Sequence, residues 1–300
     1  MDTEQAVEEL ATIKDFVRWG YSQMSRAEVF YGHGTDNGLD ESFALVIKAL
    51  DLPYDLPAAY MDTRLTRNER IKVAEWVKCR VEERVPTPYL THEAWFANLP
   101  FYVDERVLIP RSPVAELINA GFSPWLDHTP VERILDLCTG SGCIAIACAY
   151  AFPDIEVDAV DISPDALEVA EKNIEQHGLR GRVHAIESDL FDGLEGKVYD
   201  LIISNPPYVS RPEMEALPQE YHHEPELGLA AGEDGLDIVH HILAEAPKYL
   251  SEQGILIVEV GISQDALVEA YPDVPFLWLE FEHGGQGVFL LTGEQVHNLG

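Results

Sequence analysis

Apolar positions recur with helical spacing from residue 1 to about residue 85. In TEQAVEELATIKDFVRWGYSQM, residues 3–24, Ala6, Leu10, Ile13, Val17 and Tyr21 fall on one stripe. In TRNERIKVAEWVKCRVEERV, residues 66–85, Ile71, Val73, Trp76, Val77 and Val81 do the same. The pattern predicts a small helical domain, which the prolines of PTPYLT bring to an end. AWFANLPFYVDERVLIPR, residues 94–111, then reads as a β-hairpin, two β-rich runs around a turn at Asn98, Leu99 and Pro100.

From about residue 113 the pattern changes. Strands are expected at RILDLC, EVDAVDI, RVHAIESD, YDLIIS, GILIVEVG, FLWLEF and GVFLLT, with helices after Gly142, Pro164, Gly235 and Ser263. Strands separated by helices imply βαβ units, so this half is an α/β domain with a mostly parallel sheet covered on both faces. The last two strands follow each other with no room for a helix, which makes the sheet end in an antiparallel hairpin.

A chain of 300 residues with 46% apolar content can build one large or two modest domains. No apolar run reaches the roughly 18 residues of a membrane helix, and the opening MDTEQAVEEL is acidic where a signal peptide is basic. A cytoplasmic enzyme or binding protein without a membrane partner is the expectation. Cys79, Cys138, Cys143 and Cys148 form no C-x-x-C pair and read as reduced, buried residues. His222 and His223 are adjacent and point apart, so no metal site is expected there either.

Charge narrows the partners. Asp and Glu number 53 against 20 Lys and Arg, for a formal net charge of -33. Such a surface repels phosphate backbones, because nucleic-acid affinity comes largely from Lys and Arg neutralising phosphates. It attracts a basic protein; it equally fits an organism that keeps its surfaces acidic.

The candidate chemistry lies at strand ends. ILDLCTGSGCIAIACA is a strand, an acidic residue, a glycine turn and an apolar helix: Gly140 and Gly142 let the backbone approach a ligand, with the helix N-terminus behind them. A dinucleotide fingerprint would place glycine where Ala145 stands. Asp161 ends the next strand at the spacing of a ribose-binding carboxylate, and Asp189 ends the third, where it can accept from an exocyclic amine. Asp136, Asp161 and Asp189 at one rim disfavour a pyrophosphate and favour a cationic sulfonium nucleoside. The fourth strand stops abruptly at SNPPYVS, because Pro206 and Pro207 cannot donate to a ladder and Pro206 keeps Asn205 out of helical geometry.

These residues resemble the class I S-adenosylmethionine-dependent methyltransferases that methylate amino groups. With FYVDERVLIPRSPVAELI, SDLF, SNPPYV and LPQEYHHEPELGLAAGEDGLD added, nearly the whole chain is similar to the protein-(glutamine-N(5)) methyltransferases, and among them to the group acting on large-subunit ribosomal protein uL3. The resemblance implies a Rossmann-like sheet of seven strands in the order 3-2-1-4-5-7-6. It implies a helical substrate-recognition domain over residues 1–90, a hairpin linker over 91–112 and the methyltransferase domain over 113–300. It places S-adenosylmethionine on Asp136, Cys138, Thr139, Gly140, Ser141, Gly142, Asp161, Ile162, Asp189, Leu190 and Asn205. Asn205, Pro206, Pro207 and Tyr208 form the catalytic group: Asn205 Oδ1 and the Pro206 carbonyl accept the two N–H bonds of the target amide, aiming its lone pair at the methyl. Tyr208 is expected to lay its ring on the planar amide. Cys138 stands where many relatives carry glycine, which strains a turn that needs positive φ.

The implied substrate is a glutamine of the basic uL3 protein during ribosome biogenesis. Release-factor enzymes instead read R-P-E/D-T-E where this chain has Arg111, Ser112, Pro113, Val114, Ala115 and Glu116, and the downstream loop EYHHEPELGLAAGEDGLD likewise resembles the uL3 group; both differences are expected beside the cofactor rim. Arg111 itself fits either a structural anchor or a substrate contact. The rivals are a release-factor glutamine methyltransferase, a base-amino methyltransferase, which would need a basic groove, a nicotinamide oxidoreductase, which lacks its third glycine, and a non-catalytic assembly factor binding the same client.

Overall fold

The computed structural model describes residues 2–299. They form two compact units, one made of residues up to Glu93 with Pro218–His223, the other of Ala94–Leu217 with residues from Glu224 onward.

The first unit is helical: α1 (Thr3–Glu9), α2 (Ile13–Arg26), α3 (Gly38–Ala49), α4 (Arg67–Glu82) and α5 (Thr87–Thr91). The apolar stripe read over residues 3–24 is carried by two helices, α1 and α2. Thr12 is extended and caps α2 in a reciprocal capping box with Asp15, and Leu65 donates its N–H to Ala11 O. A local cap with an outside backbone partner outweighs continued helix propagation. The break re-phases the buried face to Ile13, Phe16, Val17, Trp19, Gly20 and Met24, leaving Tyr21 43% exposed. Gly20 is required by close packing, since a Cβ there would fall 2.4 Å from Ser42 Oγ on α3.

In α4 the buried positions are Val73, Ala74, Val77 and Arg80; Ile71, Trp76 and Val81 of the expected stripe are only half-buried. Arg80 is 1% exposed and is compensated inside the unit: it pairs with Glu41 and Glu220 and donates to Phe30 O, while Thr87 donates its hydroxyl to Glu41. Glu220 also accepts from Arg84 and from the Phe30 N–H. This network ties Pro218–His223 into the helical unit.

The second unit opens with the antiparallel hairpin β1 (Ala94–Phe96) and β2 (Leu99–Phe101). Its turn is Ala97–Asn98, both at positive φ, rather than Asn98 to Pro100; Leu99 and Pro100 pair within β2, and proline is tolerated in an edge strand. Then follow α6 (Val114–Asn119), β3 (Arg133–Leu137), α7 (Cys143–Ala151), β4 (Glu156–Asp161), α8 (Pro164–Gln176), β5 (Val183–Glu187) and β6 (Tyr199–Ser204). The chain continues through α9 (Arg211–Met214), α10 (Asp237–Glu245), β7 (Leu250–Glu259), α11 (Gln264–Ala270), β8 (Leu277–Trp278), β9 (Val288–Thr292) and α12 (Gly293–His297).

The seven-stranded sheet runs β5-β4-β3-β6-β7-β9-β8, the expected order when strands are counted from β3, and only β9 runs antiparallel to its neighbours. Both faces are covered, which is why these strands read as continuous apolar runs. Ile134, Leu201, Ile203, Ile255 and Ile257 enter one core cluster, and Leu135, Leu137, Ile202, Leu256 and Val258 the other. The strand expected at FLWLEF is short: Glu282 and His283 give their N–H groups to the Glu116 carboxylate, and the chain leaves the ladder. Because β3, β4, β5 and β6 are parallel, their carboxyl ends share one rim.

Among the described residues no helix is long and apolar enough to cross a membrane.

Candidate active site

The loop after β3 turns three times through positive φ, at Cys138 (+59°), Gly140 (+54°) and Gly142 (+78°). Cys138 therefore adopts the conformation that glycine favours. Asp136 holds the turn from below: fully buried, it accepts the Thr139 hydroxyl and the Ala145 N–H. Burial pushes its carboxyl up to about 7, against those two donors. Its Oδ1 has no hydrogen-bond partner. Gly142 is needed where α7 begins, since a Cβ there would come within 3.2 Å of Ala170 on α8.

Asp161 ends β4 and spans the neighbouring turn. Its Oδ2 accepts the Gly140 N–H at 2.8 Å and its Oδ1 the Ser163 N–H at 3.0 Å. Burial raises its pKa. Asp189 follows β5 and is exposed, and Leu190 after it lies at positive φ. The Ser188 hydroxyl donates to Leu190 O and accepts from Gly193 N–H, fixing that turn. At the end of β6 the Ser204 hydroxyl donates to Leu137 O, and Asn205 Oδ1 is buried with no hydrogen-bond partner. Buried polar atoms are nearly always paired, so an orphaned acceptor at the end of a parallel strand is a candidate for receiving a ligand's donor.

A cleft of about 200 Å³ brings most of the expected residues together: Cys138, Thr139, Gly140, Ser141, Asp161, Ile162, Asp189, Leu190, Asn205 and Pro207 line it. Asp136, Gly142, Pro206 and Tyr208 lie outside that lining. Asp136 lies beneath the lining and accepts from Thr139 and Ala145. Tyr208 directs its hydroxyl to Glu259.

Two stretches expected beside the rim also line the cleft, through Arg111 and Ser112 and through Pro225, Leu227 and Gly228. Arg106 to Pro110 and Ile238 join them without having been singled out by the sequence. Arg111 forms a two-pronged pair with Glu224, which also accepts the Ile109 N–H, so Arg111 anchors this segment. Arg106 is held by Asp104 and Glu168. The signal available was a pair of opposite charges in two proline-flanked loops, whose partnership only the fold reveals. Ala115 and Glu116, expected beside the rim, are elsewhere: Ala115 packs on the core and Glu116 caps the turn before β9.

The donor set defines the ligand chemistry. Carboxylates and an unpartnered amide oxygen supply acceptors, and both cations of the lining are already paired. A Cβ at Gly140 would meet nothing within 4 Å, so the loop leaves room for a ligand along its backbone. A nucleoside bearing positive charge fits this cleft, and a pyrophosphate does not.

Comparison with known proteins gives a consistent grouping. Residues 122–220 match the family described as Methyltransferase small domain. The ribosomal protein uL3 glutamine methyltransferase of Francisella tularensis is 49% identical over 294 residues, 98% of this chain and 94% of that protein. The protein of the same description from Neisseria meningitidis serogroup B is 50% identical over 97% of this chain and 96% of its own length. The solved hMettl16 catalytic domain shares the fold with a TM-score of 0.52 at 18% identity, covering 75% of this chain and 81% of that one.

Proposed function

The chain belongs to the ribosomal protein uL3 glutamine methyltransferases, and from that premise we propose that it methylates the side-chain amide nitrogen of a glutamine in large-subunit protein uL3. S-adenosylmethionine, when bound, would supply an electrophilic methyl on a positively charged sulfur, which would keep the S–C bonding pair and leave as a neutral thioether. The loop from Cys138 to Gly142, with Asp161 and Asp189, holds that nucleoside, and Ile162 and Leu190 flank it.

The observation carrying the reading is Asn205 Oδ1, buried and unpartnered beside this loop. It accepts one N–H of the target amide and the Pro206 carbonyl accepts the other, so the nitrogen lone pair faces the methyl carbon. Fixing that geometry removes orientational entropy from the barrier. Asn205 is neutral and takes no proton; the amide nitrogen gives its proton up to water after the new N–C bond has formed, when it is strongly acidic. The helical unit recognises the client, and the excess of carboxylates on the chain suits a basic one. The reaction belongs to the cytoplasm, before or during assembly of the large subunit.

The test is incubation of the purified chain with labelled S-adenosylmethionine and, separately, the uL3 protein and the peptide release factors of its own organism. Fragmentation mass spectrometry is expected to place one methyl on one uL3 glutamine. Faster labelling of the release factors would move the assignment to the other branch of the family, and labelling of neither would leave the assembly-factor reading.

A further inference from the structure

Tyr208 lies three positions after Asn205 and outside the cleft lining, yet three separate parts of it are held. Its hydroxyl donates to Glu259 Oε1 at 3.3 Å, and Glu259 Oε2 accepts the Ser112 hydroxyl at 2.5 Å. Its carbonyl accepts the Ser263 hydroxyl at 2.9 Å. Its ring rests on Gly261, where a Cβ would fall 2.5 Å from a ring carbon, and a Cβ at Gly235 would fall 2.3 Å from its carbonyl oxygen. Glu259 is 6% exposed and ends β7, whose Val258 pairs with Ser204 at the end of β6.

Asn205 therefore sits between two fixed points. On one side is Ser204, in the sheet and bonded to Leu137 O; on the other is Tyr208. Between Asn205 and Tyr208 stand two prolines whose φ angles are set by their rings. A linkage this stiff transmits a displacement of Tyr208 to Asn205.

Resting on the function proposed above, we infer that Glu259 and Tyr208 are positioning residues. The hydrogen-bonded chain Ser112–Glu259–Tyr208 holds the Pro206–Pro207 link, and through it the amide acceptors of Asn205, in the geometry that methyl transfer needs. It also ties that link to the Arg111–Ser112 segment of the cleft wall. The role of Tyr208 thus resides in its hydroxyl rather than in a ring face offered to the substrate.

Tyr208→Phe separates the two roles, because it keeps the ring and deletes the hydroxyl. Tyr208→Phe and Glu259→Gln are each expected to lower kcat for glutamine methylation on the order of 10- to 100-fold. The Kd for S-adenosylmethionine should stay within about twofold, and the double variant should be no slower than the worse single one, as expected for residues acting as a unit. Tyr199→Phe is the control, since it deletes a hydroxyl bonded to the buried Asp158 at the other end of the same strand; its kcat should match the wild type. Independently of any turnover, the Asn205 side-chain amide resonances of 15N-labelled protein should move in Tyr208→Phe and Glu259→Gln and stay in place in Tyr199→Phe. An unchanged kcat in Tyr208→Phe, multiplicative losses in the double variant, or stationary Asn205 resonances would overturn the inference. A wild type that methylates no glutamine would overturn the proposed function, while the resonances would still decide this one.

Discussion

Arg111 and Glu224 face each other as two parallel hydrogen bonds, Nη1 to Oε1 at 2.6 Å and Nη2 to Oε2 at 2.8 Å, with the Glu224 side chain wholly buried. The pair joins the segment after the hairpin to the loop before α10, and both contribute to the cleft wall. Arg111→Ala strands a buried carboxylate, which costs about 3 kcal/mol. Urea unfolding should register that loss, together with weaker S-adenosylmethionine binding. Arg111→Lys should recover only part of either, because an ammonium cannot form the fork. Full recovery by lysine would show that charge alone, and not planar geometry, holds the segment.

The carboxyl of Asp136 carries a pH signature. Its pKa in the folded chain is raised by burial from 3.8 to about 7, so the native state keeps a proton that the unfolded chain has released. Stability from this group is therefore greatest at acid pH, falls as pH rises between those two values, and is flat above them. Asp136→Asn removes the slope. The stability difference between wild type and variant is expected to change on the order of 4 kcal/mol between about pH 4 and pH 8, in favour of the variant at the higher pH. Parallel stability curves for the two proteins would refute the assignment.

The legible parts of this chain were those written in local periodicity and strand-end chemistry. Strands such as Arg133–Leu137 and Tyr199–Ser204 announce themselves because both faces are buried, and the glycines at 140 and 142 mark a turn that needs positive φ. The break at Thr12 was hidden, because Ala6, Leu10, Ile13 and Val17 keep helical phase across it while the carbonyl of Ala11 is taken by a distant backbone group, the Leu65 N–H. Arg80 was hidden for a different reason. A charge in an amphipathic helix reads as solvated, and only the carboxylates of Glu41 and of Glu220, far along the sequence, make its burial tolerable. Non-local compensation leaves no mark in a sequence window.

The Arg80 network yields a stability prediction within the helical unit. Arg80→Ala leaves Glu41 and Glu220 buried without their central partner and should cost about 3–5 kcal/mol. Hydrogen exchange should then rise in the Phe30 N–H, which donates to Glu220, and along Pro218–His223. Exchange unchanged in that segment would mean that other contacts hold it.

Asn205 separates activity from stability. Its Oδ1 is a buried acceptor without a partner, a group whose desolvation no hydrogen bond of the free chain repays. Asn205→Ala therefore removes an unsatisfied group from the free protein, and its melting temperature should equal or slightly exceed that of the wild type. Its methyl transfer to glutamine should fall about 10²- to 10³-fold, the typical loss for one preorganised polar group at the reacting centre. Binding of S-adenosylmethionine should weaken only a few-fold, because Asp161 and the glycine loop remain intact. Asn205→Asp keeps an acceptor in place and should retain more activity than the alanine variant. Calorimetry, thermal unfolding and single-turnover kinetics on the three proteins decide the matter. Equal losses in both variants would place the function of Asn205 in its N–H donors, and a large drop in melting temperature would make it a structural residue. Cells carrying only Asn205→Ala extend the test to the assembly-factor reading: loss of uL3 methylation alone, with ribosome assembly unchanged, would separate catalysis from any scaffolding role.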